Sequence, residues 1–169
     1  VQSLKSASPP GEQAAARAIA WAVVEQMSDE WLYLVGPGTT TRAITDHLGL
    51  SKTLIGVDVI FQKKLLLADA NEAQLRQLLA EGRPAKIIVT PIGGQGYILG
   101  RGNQQFSPAI IRQVGRENLL VVSAPGKIHA LHGRPLQVDT GDPALDTLLK
   151  GHIRVITGYN EHIIYRLSV

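Results

Sequence analysis

The sequence predicts an α/β fold, a mostly parallel sheet with helices on both faces, and it allows an antiparallel edge. Apolar runs rich in β-branched residues alternate with amphipathic or capped helical segments along the 169-residue chain. Several of these runs are continuously apolar, as in strands buried on both faces. The composition, 44% hydrophobic and 18% charged, is typical of a globular protein. We therefore expect a single α/β domain over residues 12–169, preceded by a Ser- and Pro-rich linker over residues 1–11.

The elements of the first half follow from spacing and from helix ends. Apolar residues three and four apart predict a helix over 12–27, and a short apolar run predicts a strand over 31–35. After a Gly-Pro-Gly turn, a helix is expected over 41–48, ending before Gly49. Strands are then expected over 53–60 and 64–68, and a helix over 71–80 begins at Asn71, a preferred N-cap residue.

The second half continues the same alternation. The strand over 85–91 leads into a Gly-rich segment, and Ser107-Pro108 starts a helix that runs to about Val114, with proline at the first helical position. After a buried strand over 119–123, the chain is expected to be irregular as far as a short strand over 136–138. Asp142 and Pro143 start a helix through Leu149. The two closing strands, 152–157 and 162–167, are the expected antiparallel edge.

Composition excludes several classes of function. The chain has no cysteine, which removes disulfides, a thiolate nucleophile and Cys-based zinc sites. A net charge of +3 with scattered basic residues gives no support to nucleic-acid binding. No apolar run reaches the roughly 18 residues of a membrane helix, so we expect a cytoplasmic protein. Because the chain opens at Val1 and its one methionine is Met27, we expect it to be a fragment of a longer chain.

The first candidate binding segment is the turn between the strand at 31–35 and the next helix. Its glycines allow close approach of a ligand to the backbone, and the helix start offers free N–H groups and a partial positive charge to a phosphate. A tight turn with a threonine cap explains the same residues equally well. The candidate ligand-binding residues here are Gly36, Gly38, Thr39, Thr40 and Thr41.

The second candidate is a longer Gly-rich segment over residues 90–105. Five glycines fall within ten residues, and the segment also follows an apolar strand and precedes a helix. Arginine offers a planar cation for phosphate or carboxylate, while amides read hydroxyls or a base edge. A mobile hairpin or a packing loop is the alternative. The candidate ligand-binding residues are Gly93, Gly94, Gln95, Gly96, Arg101, Asn103 and Gln104.

Two carboxylates are the candidate catalytic residues. Asp58 interrupts an apolar strand, and a buried carboxylate needs a partner or a raised pKa; a structural hydrogen bond is the equal alternative. Asp139 lies near Asp142, so the two could hold a metal, activate a hydroxyl or bind a ribose. Because Asp142 precedes Pro143, it is better explained as a helix cap. Asp139 has no such local explanation.

Taken in order, five segments resemble the carboxyl-terminal part of the ATP-NAD kinase-like family, predicted ATP- or polyphosphate-dependent NAD kinases. The segments are 34–41, 56–58, 90–96 with 99–105, 138–143 and 156–159, and the resemblance covers nearly the whole chain. The resemblance implies transfer of a phosphoryl group from ATP or polyphosphate to the ribose 2′-hydroxyl of NAD, giving NADP. It also implies Mg²⁺ with the phosphoryl donor, and NAD as substrate.

One departure limits what the resemblance implies. NAD kinases carry a Gly-Gly-Asp-Gly-Thr segment in an amino-terminal domain, and this sequence has none. We therefore expect a nucleotide- or phosphate-binding domain that is inactive without its amino-terminal kinase-like domain. Homo-oligomers are also compatible with the sequence. A weaker likeness to the sugar-phosphate isomerase-type fold gives an isomerase-like enzyme as one alternative. Another alternative is a regulatory module that binds a sugar phosphate or a nucleotide without chemistry.

Overall fold

The structure is a computed structural model, and it describes residues 10–169. Within that range the chain forms nine strands and six α-helices, together with a short 3₁₀ turn at Arg116–Asn118. In chain order the elements are α1 (Pro10–Glu25), β1 (Leu32–Val35), α2 (Thr39–His47), β2 (Val57–Phe61), β3 (Lys64–Ala70), α3 (Glu72–Leu79), β4 (Ala85–Val89), β5 (Tyr97–Leu99), α4 (Pro108–Val114), β6 (Leu119–Val122), α5 (Pro125–His129), β7 (Leu136–Val138), α6 (Pro143–Leu149), β8 (Gly151–Gly158) and β9 (Glu161–Ser168).

The strands form one sheet in the order β3-β2-β1-β4-β6-β8-β9-β7-β5. Strands β1, β4, β6 and β8 are parallel neighbours, and β9, β7 and β5 are parallel to one another. The pairs β1–β2, β2–β3 and β8–β9 are antiparallel. The carboxyl ends of β1, β4 and β6 therefore lie at one edge of the sheet, where open α/β folds bind their ligands.

Alternating side chains of the parallel strands enter two cores. Leu32 and Leu34 of β1 pack in the larger core with α3, α4 and α6, whereas Tyr33 and Val35 pack in the second core with α1 and α2. Period-two alternation in a strand requires this division. The α/β fold with a mostly parallel sheet and helices on both faces is thus confirmed.

The helix starts follow the capping residues of the sequence. Asn71 accepts a hydrogen bond from the backbone N–H of Gln74, and the Gln74 side chain accepts from the N–H of Asn71, a complete capping box. Ser107 caps α4 ahead of Pro108, and Asp142 caps α6 by accepting from the N–H groups of two residues in its first turn. The predicted helices at these places and the capping function of Asp142 are confirmed.

Several details differ from the sequence-based expectations. The strand expected over 53–60 begins at Val57, and β5 forms within the Gly-rich segment. The antiparallel edge is formed by β2 and β3, whereas β8 and β9, which were expected there, lie inside the sheet between β6 and β7. The stretch expected to be irregular contains α5, which Pro125 begins at a first helical position. The predicted linker over 1–11 falls largely outside the described residues, and residues 10 and 11 belong to α1.

In the described range, no helix combines the length and apolarity needed to cross a membrane.

Candidate functional site

The turn between β1 and α2 is shaped by its two glycines. The N–H of Gly36 donates to the carbonyl of Ile88 at 2.9 Å, continuing the pairing of β1 with β4. Gly38 is the N-cap of α2 at φ 131° and ψ 162°, a conformation open essentially to glycine alone. A Cβ at Gly38 would overlap the side chain of Thr90, which follows β4. The turn is therefore pressed against the end of the neighbouring strand.

The first turn of α2 carries the three predicted threonines. No side chain caps this helix start, so its first N–H groups have no side-chain partner. Thr41 is fully buried and its hydroxyl donates to the carbonyl of Gly38 at 3.0 Å. Thr39 is exposed, and Thr40 is buried at the edge of a cavity. Thr41 thus stabilises the turn, whereas Thr39 and Thr40 line space that a ligand can enter.

That space is a cavity of about 760 Å³ between α1, α2 and the start of α5. Its volume lies within the range of small-molecule sites. Five of its fourteen lining residues are alanines, Ala16, Ala18, Ala20, Ala43 and Ala124. The remaining lining residues are polar or aromatic: Glu12, Gln13, Arg17, Trp21, Thr39, Thr40, Asp46, His47 and Lys127. We call it the α1–α2 cavity.

The charges around the α1–α2 cavity are of both signs. Arg17 and Lys127 supply cations, and Glu12 and Asp46 supply carboxylates. None of these four side chains takes part in an ion pair within the described part of the chain. Such a set suits a ligand that combines phosphate with hydroxyl groups, because cations bind phosphate and carboxylates accept hydrogen bonds from hydroxyls.

The second Gly-rich segment begins with a tight turn. The N–H of Ile92 donates to the carbonyl of Tyr97 at 2.7 Å, closing a loop whose tip is Gly93, Gly94 and Gln95, all exposed. Gly96 is buried against Leu131. These four predicted residues do not line the α1–α2 cavity. Their binding role stays a prediction.

The second half of that segment is held by Asn103. Its side chain is fully buried, donates to the carbonyl of Ile98 at 2.9 Å and accepts from the N–H of Gly100 at 3.0 Å. These contacts stabilise the loop after β5. Gln104 is exposed beside it. The ligand-binding roles expected for Asn103 and Gln104 stay predictions, and the contacts of Asn103 are structural.

Arg101 and Asp139 lie together, although 38 positions separate them in sequence. Arg101 Nη2 lies 3.4 Å from Asp139 Oδ2, and both side chains are about half exposed, at 55% and 51%. The Arg101 guanidinium also lies 4.3 Å from the centre of the Tyr97 ring. This pair does not line the α1–α2 cavity. The catalytic role of Asp139 and the phosphate-binding role of Arg101 stay predictions.

Asp58 is fully buried, with every carboxylate oxygen engaged. It pairs with Lys52 Nζ at 2.8 Å and accepts from the Thr53 N–H at 2.9 Å and the Asp69 N–H at 2.8 Å. A bulge in β3 brings the Asp69 N–H into place. Burial raises the pKa of Asp58, but the hydrogen bonds from Lys52, Asp69 and Thr53 outweigh burial and lower it. These contacts match the structural alternative, and a catalytic role for Asp58 stays a prediction.

The arrangement of His, Asp and Glu side chains bears on whether this domain binds a metal ion. The described residues include no group of three or more His, Asp or Glu side chains arranged to hold a metal ion. Mg²⁺ requires near-octahedral oxygen coordination, often completed by substrate phosphates. Because Mg²⁺ is often held by only one or two carboxylates together with substrate phosphates, its binding to this domain stays a prediction.

Several lining residues of the α1–α2 cavity were not predicted as site residues. Gln13, Arg17 and Trp21 recur every four residues along α1, so they share one helix face next to the apolar stripe. This four-residue periodicity could have indicated from the sequence that the three side chains share one surface of α1. Lys127 lies in the stretch expected to be irregular, where sequence offered no reason to place it beside α2.

The chain is therefore an α/β domain with a concave site between α1, α2 and the start of α5. The family model for the ATP-NAD kinase C-terminal domain matches residues 28–167, most of the chain. The chain belongs to this family, which confirms the resemblance described above, and such a domain has an amino-terminal partner domain. Searches of the curated proteins and of the solved structures found no match. The likeness to the sugar-phosphate isomerase-type fold stays a prediction.

Proposed function

We propose that this chain is the carboxyl-terminal nucleotide-binding domain of an NAD kinase-like enzyme, with the α1–α2 cavity as its nucleotide site. The enzyme would transfer a phosphoryl group from ATP or polyphosphate to NAD, giving NADP. Membership in the family supports the reaction class. The observation that carries the location is the meeting of an uncapped helix start with Arg17 and Lys127 in one cavity.

The proposal assigns roles by the chemistry of the lining residues. The first turn of α2, with Gly38, Thr39 and Thr40, would receive a phosphate through backbone N–H groups and hydroxyls, with Arg17 and Lys127 neutralising its charge. A buried hydroxyl group behind this turn is a second observation that supports a binding site here. Thr90 is 1% exposed, its side chain packs on Gly38, and its Oγ1 is the one buried side-chain polar atom without a partner among the described residues.

Separate roles for the two domains are proposed because this sequence lacks a segment that NAD kinases use for phosphoryl transfer. Phosphoryl transfer depends on positioning and on neutralising charge around the transferred group. The aspartate that serves the reacting hydroxyl in NAD kinases belongs to the Gly-Gly-Asp-Gly-Thr segment, which this sequence does not contain. We therefore propose that the chain holds the nucleotide and that the amino-terminal domain supplies that aspartate and Mg²⁺ binding. On this proposal the chain alone is inactive.

The proposal predicts how activity depends on the cavity. The chain alone should form no NADP, whereas the enzyme with its amino-terminal domain should form NADP from NAD and ATP or polyphosphate. In that enzyme R17A/K127A should raise the KM for NAD or ATP, because the nucleotide site loses two cations. The matched control is K64A, which removes an exposed cation of β3 outside the cavity. NADP formation with an unchanged KM in R17A/K127A would contradict the location of the site.

A further inference from the structure

Trp21 is unusually exposed for a residue on a helix that packs on the sheet. Its side chain is 58% exposed and lines the α1–α2 cavity. Tryptophan is normally buried to a large extent. An exposed indole at a concave site is therefore a candidate contact for a flat ligand, since aromatic rings gain by stacking on one another.

The Trp21 ring contacts another aromatic ring, that of Tyr159. Its ring centre lies 5.3 Å from that of Tyr159, with the planes tilted by 46°. The Tyr159 hydroxyl in turn donates to Glu25 Oε1 at 3.1 Å, which ties the β8–β9 turn to the end of α1. These contacts restrict the indole before any ligand binds. A restricted ring loses less conformational entropy on stacking than a freely rotating one.

Trp21 lies in the same cavity as the groups proposed to bind phosphate. Trp21 is four residues from Arg17, so the ring and the guanidinium occupy one face of α1 in successive turns. The cavity extends from Thr39 to His47, about 12 Å along α2. Thr39, Thr40 and Arg17 line the same cavity as Trp21, so one ligand could contact both the phosphate-binding groups and the indole. Helix α1 precedes the segment that the family model matches, which begins at residue 28.

We propose that Trp21 is the stacking platform for the planar base of the bound nucleotide, an inference that rests on the proposed function of the α1–α2 cavity. The base lies against the indole, and the phosphate lies toward Arg17 and the first turn of α2. Trp21 thereby selects base-bearing ligands over inorganic or sugar phosphates.

The two tryptophans of the chain permit a direct test. In W31F, Trp21 is the only tryptophan, and NAD and AMP should quench its fluorescence in a saturable way. In W21F the remaining Trp31, which lies outside the cavity beside Lys86, should show no such quenching. Pyrophosphate, which has no base, should leave the fluorescence of both variants unchanged.

Calorimetry separates stacking from the rest of the site. W21A should weaken binding of NAD by about 5- to 150-fold, the range of one base–aromatic stack, whereas W21F should keep most of the affinity. The affinity for pyrophosphate should be the same in W21A as in the wild type. Circular dichroism checks that each variant is folded.

Two results would overturn the inference, and they differ. If NAD binds W21A as tightly as the wild type, or binds W31F without changing its fluorescence, Trp21 is not the platform, although the nucleotide site itself stands. If neither NAD nor AMP binds the wild-type chain, the proposed function of the cavity fails, and the role of Trp21 fails with it.

Discussion

At the scale of single residues, the Lys52–Asp58 pair is the most buried ion pair among the described residues. Their side chains are 1% and 0% exposed. Lys52 also donates to the carbonyls of Thr53 and Gly56, so the pair ties together the turn that precedes β2. A buried pair of this kind is destabilising to break, because removal of one charge leaves the other unpaired away from water.

D58N should therefore lower the free energy of unfolding by about 3 to 5 kcal/mol at neutral pH, measured by urea unfolding. The matched control is E81Q in the pair between Glu81 and Arg83, whose side chains are 54% and 41% exposed. That change should cost less than about 1 kcal/mol, because solvent screens exposed pairs. Equal losses for the two variants would contradict a structural function for Asp58.

The same pair gives an expected pH dependence. The pKa of Asp58 is lowered in the folded chain, so its contribution to stability is fully present above the unfolded pKa of about 3.9. The contribution is lost as the pH falls through the folded pKa. The difference in stability between the wild type and D58N should be constant from neutral pH to about pH 5 and should shrink below about pH 4.

Sequence reasoning identified Asp58 as a residue that needs an explanation, but its partner could not be predicted. Lys52 is of a residue type that is normally exposed, and it is buried here because the turn over 53–56 brings it beside β2. Asn103 poses the same difficulty. From its residue type, Asn103 was expected to bind a ligand. Its contacts with Ile98 and Gly100 depend on the folded loop, which no sequence pattern shows.

At the scale of elements, the turn between β1 and α2 depends on Gly38. G38A would force a side chain into a glycine-only conformation and against Thr90 Cγ2, so it should lower stability by about 3 kcal/mol or more. The control G49A also has a positive φ, 72°, but open space around it, and should cost about 1 to 2 kcal/mol. Both values come from urea unfolding.

A second substitution separates the contact from the backbone strain. T90S removes the Cγ2 methyl that a Cβ at Gly38 would meet. The double variant G38A/T90S should therefore recover part of the loss seen in G38A. Recovery would be absent if backbone conformation alone set the cost, and a G38A variant as stable as G49A would contradict the close packing of this turn.

Elements with local signals were predictable from sequence. Helices α3, α4 and α6 begin at Asn71, Ser107 and Asp142, as their capping residues indicate. Helix α5 has Pro125 at its start but only five residues, too few for a periodic pattern. Strands β8 and β9 were expected as an antiparallel pair, yet their place inside the sheet depends on pairing with β6 and β7, which no local pattern encodes.

At the scale of the whole molecule, the α/β class followed from alternation along the chain, whereas the candidate site required three-dimensional packing. The sequence offered two Gly-rich segments as candidate ligand-binding segments. The structure brings only the first to the α1–α2 cavity, where it meets α1 and α5. Helix α1 contributes Arg17 and Trp21 from outside the segment that the family model matches. This combination is the basis of the proposed nucleotide site.

The most direct test of that site is a calorimetric titration of the chain with NAD, with ATP and with ribose 5-phosphate, comparing the wild type, R17A/K127A and K64A. We expect NAD or ATP to bind the wild type and K64A equally and to bind R17A/K127A at least about 10-fold more weakly, because charge-assisted hydrogen bonds to phosphate are lost. Unchanged affinity in R17A/K127A would contradict the location. Binding of ribose 5-phosphate alone, or of none of the three, would contradict nucleotide binding by this domain.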